Sequence, residues 1–151
     1  MLLSICIPIY NKDVSNLVAK LRDEIRTDVN INILLIEDGS VEFLESNSAL
    51  AGQNVKHIIH LKNKGRSATR NAFLQYTDAD YLLFLDDDSV VERIDFIRNY
   101  KNLLRNTDLD LCVGGRIYDA YCRPGHELRY KYGKQIESKE VIDRATKPYH
   151  A

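Results

Sequence analysis

The sequence predicts an α/β domain built on a mainly parallel sheet with flanking helices. Apolar runs of strand length alternate with segments whose apolar residues recur at helical spacing, as in successive βαβ units. The runs are apolar at nearly every position rather than every second one, which strands covered on both faces require. The first four runs each end in a polar, turn-prone cluster: "YNKD", "EDGS", "KNKGRS" and "DDDS". In a parallel sheet these clusters share one edge, where ligands of such sheets gather.

The first strand is "LLSICIPI" (2–9). Val14, Leu17, Val18, Leu21 and Ile25 follow at helical spacing, with Asp13 as the expected N-cap. "INILLI" (31–36) and "VKHIIHL" (55–61) are the second and third strands. Ala68, Ala72, Phe73 and Tyr76 give a helical period to residues 66–76, and "YLLFL" (81–85) is the fourth strand. Ile94, Ile97, Tyr100 and Leu104 mark another helix, and "LDLCVGGRIY" (109–118) reads as a fifth strand. Right-handed crossovers join such strands. Past residue 119 the period dissolves into a charged, tyrosine-rich stretch. The expected division is a domain over 1–118 and an incomplete arm or further subdomain over 119–151.

The 151 residues suit one compact domain. A net charge of −1 carries no basic excess, so nucleic acid is not an expected partner. No stretch approaches the roughly 18 apolar residues of a membrane span. The first residues lack the basic lead and cleavage site of a secretory signal and read as core strand. Cys6, Cys112 and Cys122 are scattered without a CxxC pair, which predicts reduced thiols in a cytoplasmic protein. Cys6 and Cys112 lie in apolar runs and are expected in the core.

Asp86, Asp87 and Asp88 stand directly behind the fourth apolar run. Two like charges about 4 Å apart repel by roughly 4 kcal/mol at an effective dielectric near 20, so a cation is needed to offset them. On a strand Asp86 and Asp88 would share a face, with Asp87 pointing away. Such a pair suits Mg²⁺ or Mn²⁺, which take one or two carboxylates and fill the remaining positions with phosphate oxygens and water. The plainer alternative is a solvated turn whose acidic residues favour a following helix. "EDGS" is a turn pattern, and it also places Asp38 where a carboxylate could accept a nucleobase N–H. In "NKGRSATRN" (63–71) Gly65 opens a helix flanked by Lys64, Arg66 and Arg70, which suits a diphosphate or, alternatively, a solvated helix face. The glycine spacing of a Walker loop or dinucleotide fingerprint is absent. Tyr10, just past Pro8, could stack on a base or pack at the rim. His57 and His60, three apart on a strand, would face opposite ways and make a poor metal pair. Gly114 and Gly115 allow either close backbone approach or a bulge.

The ordered set "SICIPIYN", "LLIEDGS", "NKGRSATRN" and "YLLFLDDDS" resembles the family 2 glycosyltransferases of the GT-A fold, over about the first 118 residues. The resemblance implies a nucleotide-diphospho-sugar, most commonly a UDP-sugar, lying across the strand ends. Tyr10 resembles the aromatic beside the base, with Pro8, Asn11 and Gly65 in the same nucleotide site. Asp38 resembles the carboxylate that meets the base N–H, and Arg70 the basic residue near base and diphosphate. Asp86 and Asp88 look like the outer members of the DxD motif, the first near the ribose and the metal and the last holding the Mg²⁺ or Mn²⁺ ion, with Asp87 between them. The family implies transfer, mostly with inversion, to a glycan or lipid-linked acceptor hydroxyl in polysaccharide or cell-envelope synthesis, at the cytoplasmic face of a membrane. Glu37 stands where the family commonly has aspartate, with the charge kept. The family's acceptor half and catalytic base lie further along than Ala151, so a truncated, donor-binding piece is expected. Two alternatives differ in class. One is a non-catalytic nucleotide-binding module. The other is a haloacid-dehalogenase-type phosphatase with Asp86 as nucleophile, disfavoured because that motif belongs on a first strand.

Overall fold

The computed structural model describes residues 1–138, apart from Val113, Arg116, Asp119 and Arg123, together with Ile142. The chain divides into two compact units, Met1–Asn106 and Thr107–Ala151. The boundary falls ahead of the 109–118 segment, which the sequence reading placed with the first part.

In the first unit the order is β1 (Leu3–Ile9), α1 (Ser15–Ile25), β2 (Ile31–Asp38), α2 (Leu44–Ser48), β3 (Val55–His60), α3 (Arg66–Ala72), β4 (Tyr81–Phe84) and α4 (Phe96–Asn106). A 3₁₀ turn, Phe73–Gln75, continues α3. The four strands are all parallel, in the order β3-β2-β1-β4. The chain therefore steps outward from β1 to β3 and then returns to the other side of β1. That reversal puts the topological switch point between the carboxyl ends of β1 and β4.

Both faces of the sheet are covered, which is why the strands read as unbroken apolar runs. On one face Leu3, Ile5, Ile7 and Ile9 of β1 pack with Leu17, Val18, Leu21 and Ile25 of α1 and Ile97 of α4. On the other, Cys6, Leu34 and Ile36 meet Ala72 and Phe73, and the Phe73 ring stands edge-on to Phe84 at 5.7 Å. Each fully buried aliphatic side chain stabilises this arrangement by roughly 1.5–3 kcal/mol. Burial also pushes the Cys6 thiol up to about 12, so it behaves as core rather than as a nucleophile. Asp13, expected as the N-cap of α1, lies one residue ahead of that position. The N-cap is Val14, which has no side-chain cap bond, and Asp13 Oδ1 accepts the Ser15 N–H at 2.8 Å from just outside the helix.

Several expectations fail. The described residues of 109–118 are not in a strand, and Leu111 and Ile117 are 79% and 89% exposed. An apolar run becomes a strand only if another edge pairs with it, and the two glycines weaken this one further. Cys112 is exposed for the same reason. Ile94 precedes α4 and is exposed, leaving Ile97 as that helix's buried anchor. In the second unit, α5 (Glu127–Tyr132), with the π-helical turn Gly133–Glu137 behind it, was not legible as a helix. Arg129 reaches back to Glu137 at 2.7 Å, and the Tyr118 hydroxyl donates to the same carboxylate. Among the described residues no helix is long and apolar enough to cross a membrane.

Beyond the strand ends, the Gly39 N–H donates to the His60 carbonyl at 3.0 Å, extending the β2–β3 pairing into the loops. Gly39 has φ +76°, and a Cβ there would lie 2.8 Å from the Lys62 carbonyl carbon and collide with the Asn63 backbone. A Gly39→Ala variant is expected to lose about 1–3 kcal/mol from the left-handed conformation alone, with the collision adding to it. Urea unfolding reads this as a lowered midpoint, and a midpoint equal to wild type would contradict it.

Candidate strand-end site

The carboxyl ends of all four strands border a cleft of about 400 Å³ at the switch point. The end of β1 supplies Pro8, Ile9 and Tyr10, and the end of β2 supplies Asp38. Asn63, Gly65, Arg66 and Thr69 come from the β3–α3 segment, and Asp86, Asp87 and Asp88 from the loop after β4.

Asp38 organises one wall. Its carboxylate is buried, with Oδ1 accepting the Lys64 N–H at 2.7 Å and Oδ2 the Gly65 N–H at 2.9 Å. The Asn63 side chain also accepts the Gly65 N–H, and Gly65 adopts φ +86° to make the turn. Glu37 and Asp38 of "EDGS" are the last residues of β2, and the turn this carboxylate holds is the one at Lys64 and Gly65. The carboxylate also lines the cleft. Each carboxylate oxygen has two acceptor positions, so Asp38 keeps capacity for a ligand N–H. His60 Nδ1 lies 3.9 Å from Asp38 Oδ1, whereas His57 approaches Glu37, so the two histidines do face opposite ways.

Tyr10 is 54% exposed at the rim, and its backbone N–H donates to Asp87 Oδ2 at 3.1 Å. Asn11 does not line the cleft. It takes φ +49°, which asparagine tolerates, donates its N–H to Ser40 Oγ at 3.0 Å, and accepts the Val41 and Glu42 N–H groups on Oδ1. Asn11 therefore fastens the β1 loop to the β2 loop.

The geometry of the acidic triplet departs from the strand-face expectation. β4 ends at Phe84, and the Ser89 N–H closes a turn onto the Asp86 carbonyl at 3.0 Å. Strand alternation does not apply there, so Asp87 lines the same cleft as its neighbours instead of pointing away. Asp86 receives Arg70 Nη2 at 2.6 Å and Arg66 Nη2 at 3.3 Å. Arg70, stacked over the Phe84 ring at 5.3 Å, stands behind Asp86 as a support. Arg66, one turn earlier on α3, is the arginine that lines the cleft. The sequence reading named Arg66 as a neighbour only, and passed over Ile9, Asn63 and Thr69. The i, i+3 spacing of Arg66 and Thr69 was the available signal, since such residues share a helix face.

Burial raises the Asp87 carboxyl above its ordinary value, and the negative charges of Asp88 and Asp86 add to this against the Tyr10 N–H and Lys12. More negative charge is gathered here than the arginines neutralise. Among the described residues no three His, Cys, Asp or Glu side chains converge as a complete metal site. The all-oxygen donor set of Asp86 and Asp88 still fits a hard divalent ion that draws its other ligands from phosphate and water.

Beneath the cleft lies a network that spacing did not reveal. Asn47 Nδ2 donates to buried Glu37 at 2.7 Å and to the Lys12 carbonyl at 2.9 Å, while its Oδ1 accepts the Val14 N–H. His57 Nε2 lies 3.4 Å from the same Glu37 oxygen. Burial alone would raise the Glu37 carboxyl, but His57, Ser40 and Asn47 outweigh it and hold the group below its usual range. The charge that Glu37 keeps thus anchors the loop carrying Tyr10.

A model of the family described as "Glycosyl transferase family 2" matches residues 4–149. The minor teichoic acid biosynthesis protein GgaA of Bacillus subtilis is 29% identical over 149 residues, covering 93% of this chain and 33% of that protein. The structure of S. aureus TarS 1–349 in complex with UDP-GlcNAc has a TM-score of 0.59 at 18% identity, covering 70% of this chain and 32% of that one. The mannosyltransferase PcManGT from Pyrobaculum calidifontis, in complex with GDP-Man and Mn²⁺, has a TM-score of 0.50 at 16% identity, with 68% and 32% covered. The likenesses to solved structures show the fold. The chain spans only 15% to 33% of the first curated relatives it matches.

Because the folded state raises Asp87 above the ordinary aspartate value of 3.8, the native protein binds that proton more tightly than the unfolded chain does. Stability attributable to Asp87 is therefore greatest below pH 3.8 and falls as pH rises through the raised value. Asp87→Asn keeps an acceptor for the Tyr10 N–H and removes that fall. Thermal melts across pH should show the variant gaining on wild type from pH 4 to 7. A variant that instead loses ground over that range would contradict this account.

Proposed function

The chain belongs to glycosyl transferase family 2, and from that premise we propose that its strand-end cleft binds a nucleotide-diphospho-sugar whose sugar passes, with inversion, to an acceptor hydroxyl. The observation that carries this reading is the convergence on one cleft of an exposed aromatic, a buried carboxylate, an exposed arginine and three aspartates. Tyr10 offers a ring face to the base, and Asp38 accepts a base N–H beside it. Arg66 turns toward the diphosphate. Its side chain is 73% exposed, and its pairing with Asp86 is of the surface kind worth about 0–1 kcal/mol, so redirecting it costs little. Arg70 stays on Asp86, at 2.6 Å and half-buried, and keeps that carboxylate aimed. A Mg²⁺ or Mn²⁺ ion on Asp86 and Asp88 would stabilise, as a Lewis acid, the negative charge that builds on the departing diphosphate. The donors and Mn²⁺ named for the TarS and mannosyltransferase structures support this reading.

Donor binding is the part of the reaction that these residues carry, and none of them is assigned as the base that deprotonates the acceptor. The relative named for minor teichoic acid biosynthesis supports a cell-envelope glycan as the acceptor class. No observation favours the phosphatase reading.

Calorimetry with UDP-GlcNAc, UDP and GDP in Mn²⁺ tests the proposal. Wild type should bind at least one of them saturably, and Asp88→Ala should lose about tenfold or more in affinity, roughly 1.4 kcal/mol. Asp88 is exposed, so this variant is expected to fold normally. Equal affinity in the two proteins would remove the metal role, and no saturable binding by wild type would remove the donor reading.

A further inference from the structure

Thr69, in α3, is fully buried, and its Oγ1 has no hydrogen-bond partner among the described residues. Buried hydroxyls are nearly always paired. A helical threonine usually bonds back to the carbonyl three or four residues earlier. Here the Gly65 carbonyl accepts Thr69's own N–H at 3.0 Å, and the hydroxyl is left over. Thr69 is also one of the residues lining the cleft.

Gly65 links the two positions, Asp38 and Thr69, through its backbone. Its N–H donates to the Asp38 carboxylate at 2.9 Å and its carbonyl accepts the Thr69 backbone N–H, and both residues line the same cleft. An ionised carboxylate can only accept, whereas a hydroxyl can donate. A ligand edge that presents an N–H beside an acceptor atom would satisfy both groups at once. Nucleobases present such edges, as in the ring N–H and carbonyl of uracil and of guanine. A phosphate presents acceptors alone, and Asp38 would repel it.

Resting on the donor reading above, we propose that Thr69 is a specificity-determining residue whose hydroxyl donates to the base atom adjacent to the N–H taken by Asp38. The unpaired hydroxyl gains its partner only when the base is bound. Replacing it by a methyl of the same shape should therefore leave the empty protein as stable as before, or more so.

The test uses Thr69→Val and Thr69→Ser, titrated calorimetrically in Mn²⁺ with UDP, GDP, CDP and ADP, and with ribose 5-diphosphate as the base-free control. Titration of wild type with the four nucleotides identifies the base. Thr69→Val is expected to lose about two- to tenfold in affinity for that nucleotide, the range for one neutral hydrogen bond. It should keep wild-type affinity for ribose 5-diphosphate, and Thr69→Ser should bind the nucleotide as wild type does. The ligand-free unfolding midpoint of Thr69→Val should equal or exceed that of wild type.

Unchanged nucleotide affinity in Thr69→Val overturns the inference. So does an equal loss for ribose 5-diphosphate, which would place the contact away from the base, or a lowered ligand-free midpoint, which would reveal an internal partner. If wild type binds no nucleoside diphosphate, the donor reading itself fails and this inference goes with it. That outcome is separate from a failure of Thr69 alone.

Discussion

The cleft depends first on one carboxylate, that of Asp38, which accepts two successive backbone N–H groups, those of Lys64 and Gly65. Charge-assisted bonds of this kind are roughly twice as strong as neutral ones, and here they are partly buried. They fix the turn leading into α3, and with it the direction in which Arg66 and Thr69 point. Gly39, folded back against the Lys62–Asn63 backbone, makes that close approach possible because it has no Cβ. Loops that sit on the surface are usually the soft part of an α/β domain. This one is stapled from below by the end of a central strand.

The second organising feature is a managed excess of negative charge. Asp86 is held by two arginines, Asp87 by the Tyr10 backbone, and Asp88 is left in solvent. Three adjacent carboxylates thus have three different surroundings and need not share one role. Glu37 shows the contrasting arrangement, a carboxylate at zero exposure held below its usual range by His57, Ser40 and Asn47. Glu37 serves the loop geometry, and the triplet serves whatever cation and phosphate enter the cleft.

Switch-point topology explains why the site lies where it does. β1 is central, and the loops after β1 and β4 diverge because β2 and β4 flank it on opposite sides. The opening between them needs no special sequence, only the reversal of strand order. The parallel sheet and the polar strand ends are thus two views of one arrangement.

The sequence by itself determined the four parallel strands, the helices between them and the edge on which the polar clusters gather. Those features are local: an unbroken apolar run states that both faces will be covered, and a helical period states which side packs. Tyr10, Asp38 and the aspartate triplet could be singled out for the same reason, since each stands at or just beyond a strand end, and Gly65 because it opens the next helix. Only the tertiary structure decided which residues meet across chain separations that no period encodes. Asn47 beneath Glu37, Arg66 rather than Arg70 at the cleft, and the unpaired hydroxyl of Thr69 are all of that kind. The 109–118 run marks the same limit from the other side. Its apolar composition promised a strand, but a strand exists only where a neighbouring edge supplies hydrogen bonds, and composition cannot say whether one is there.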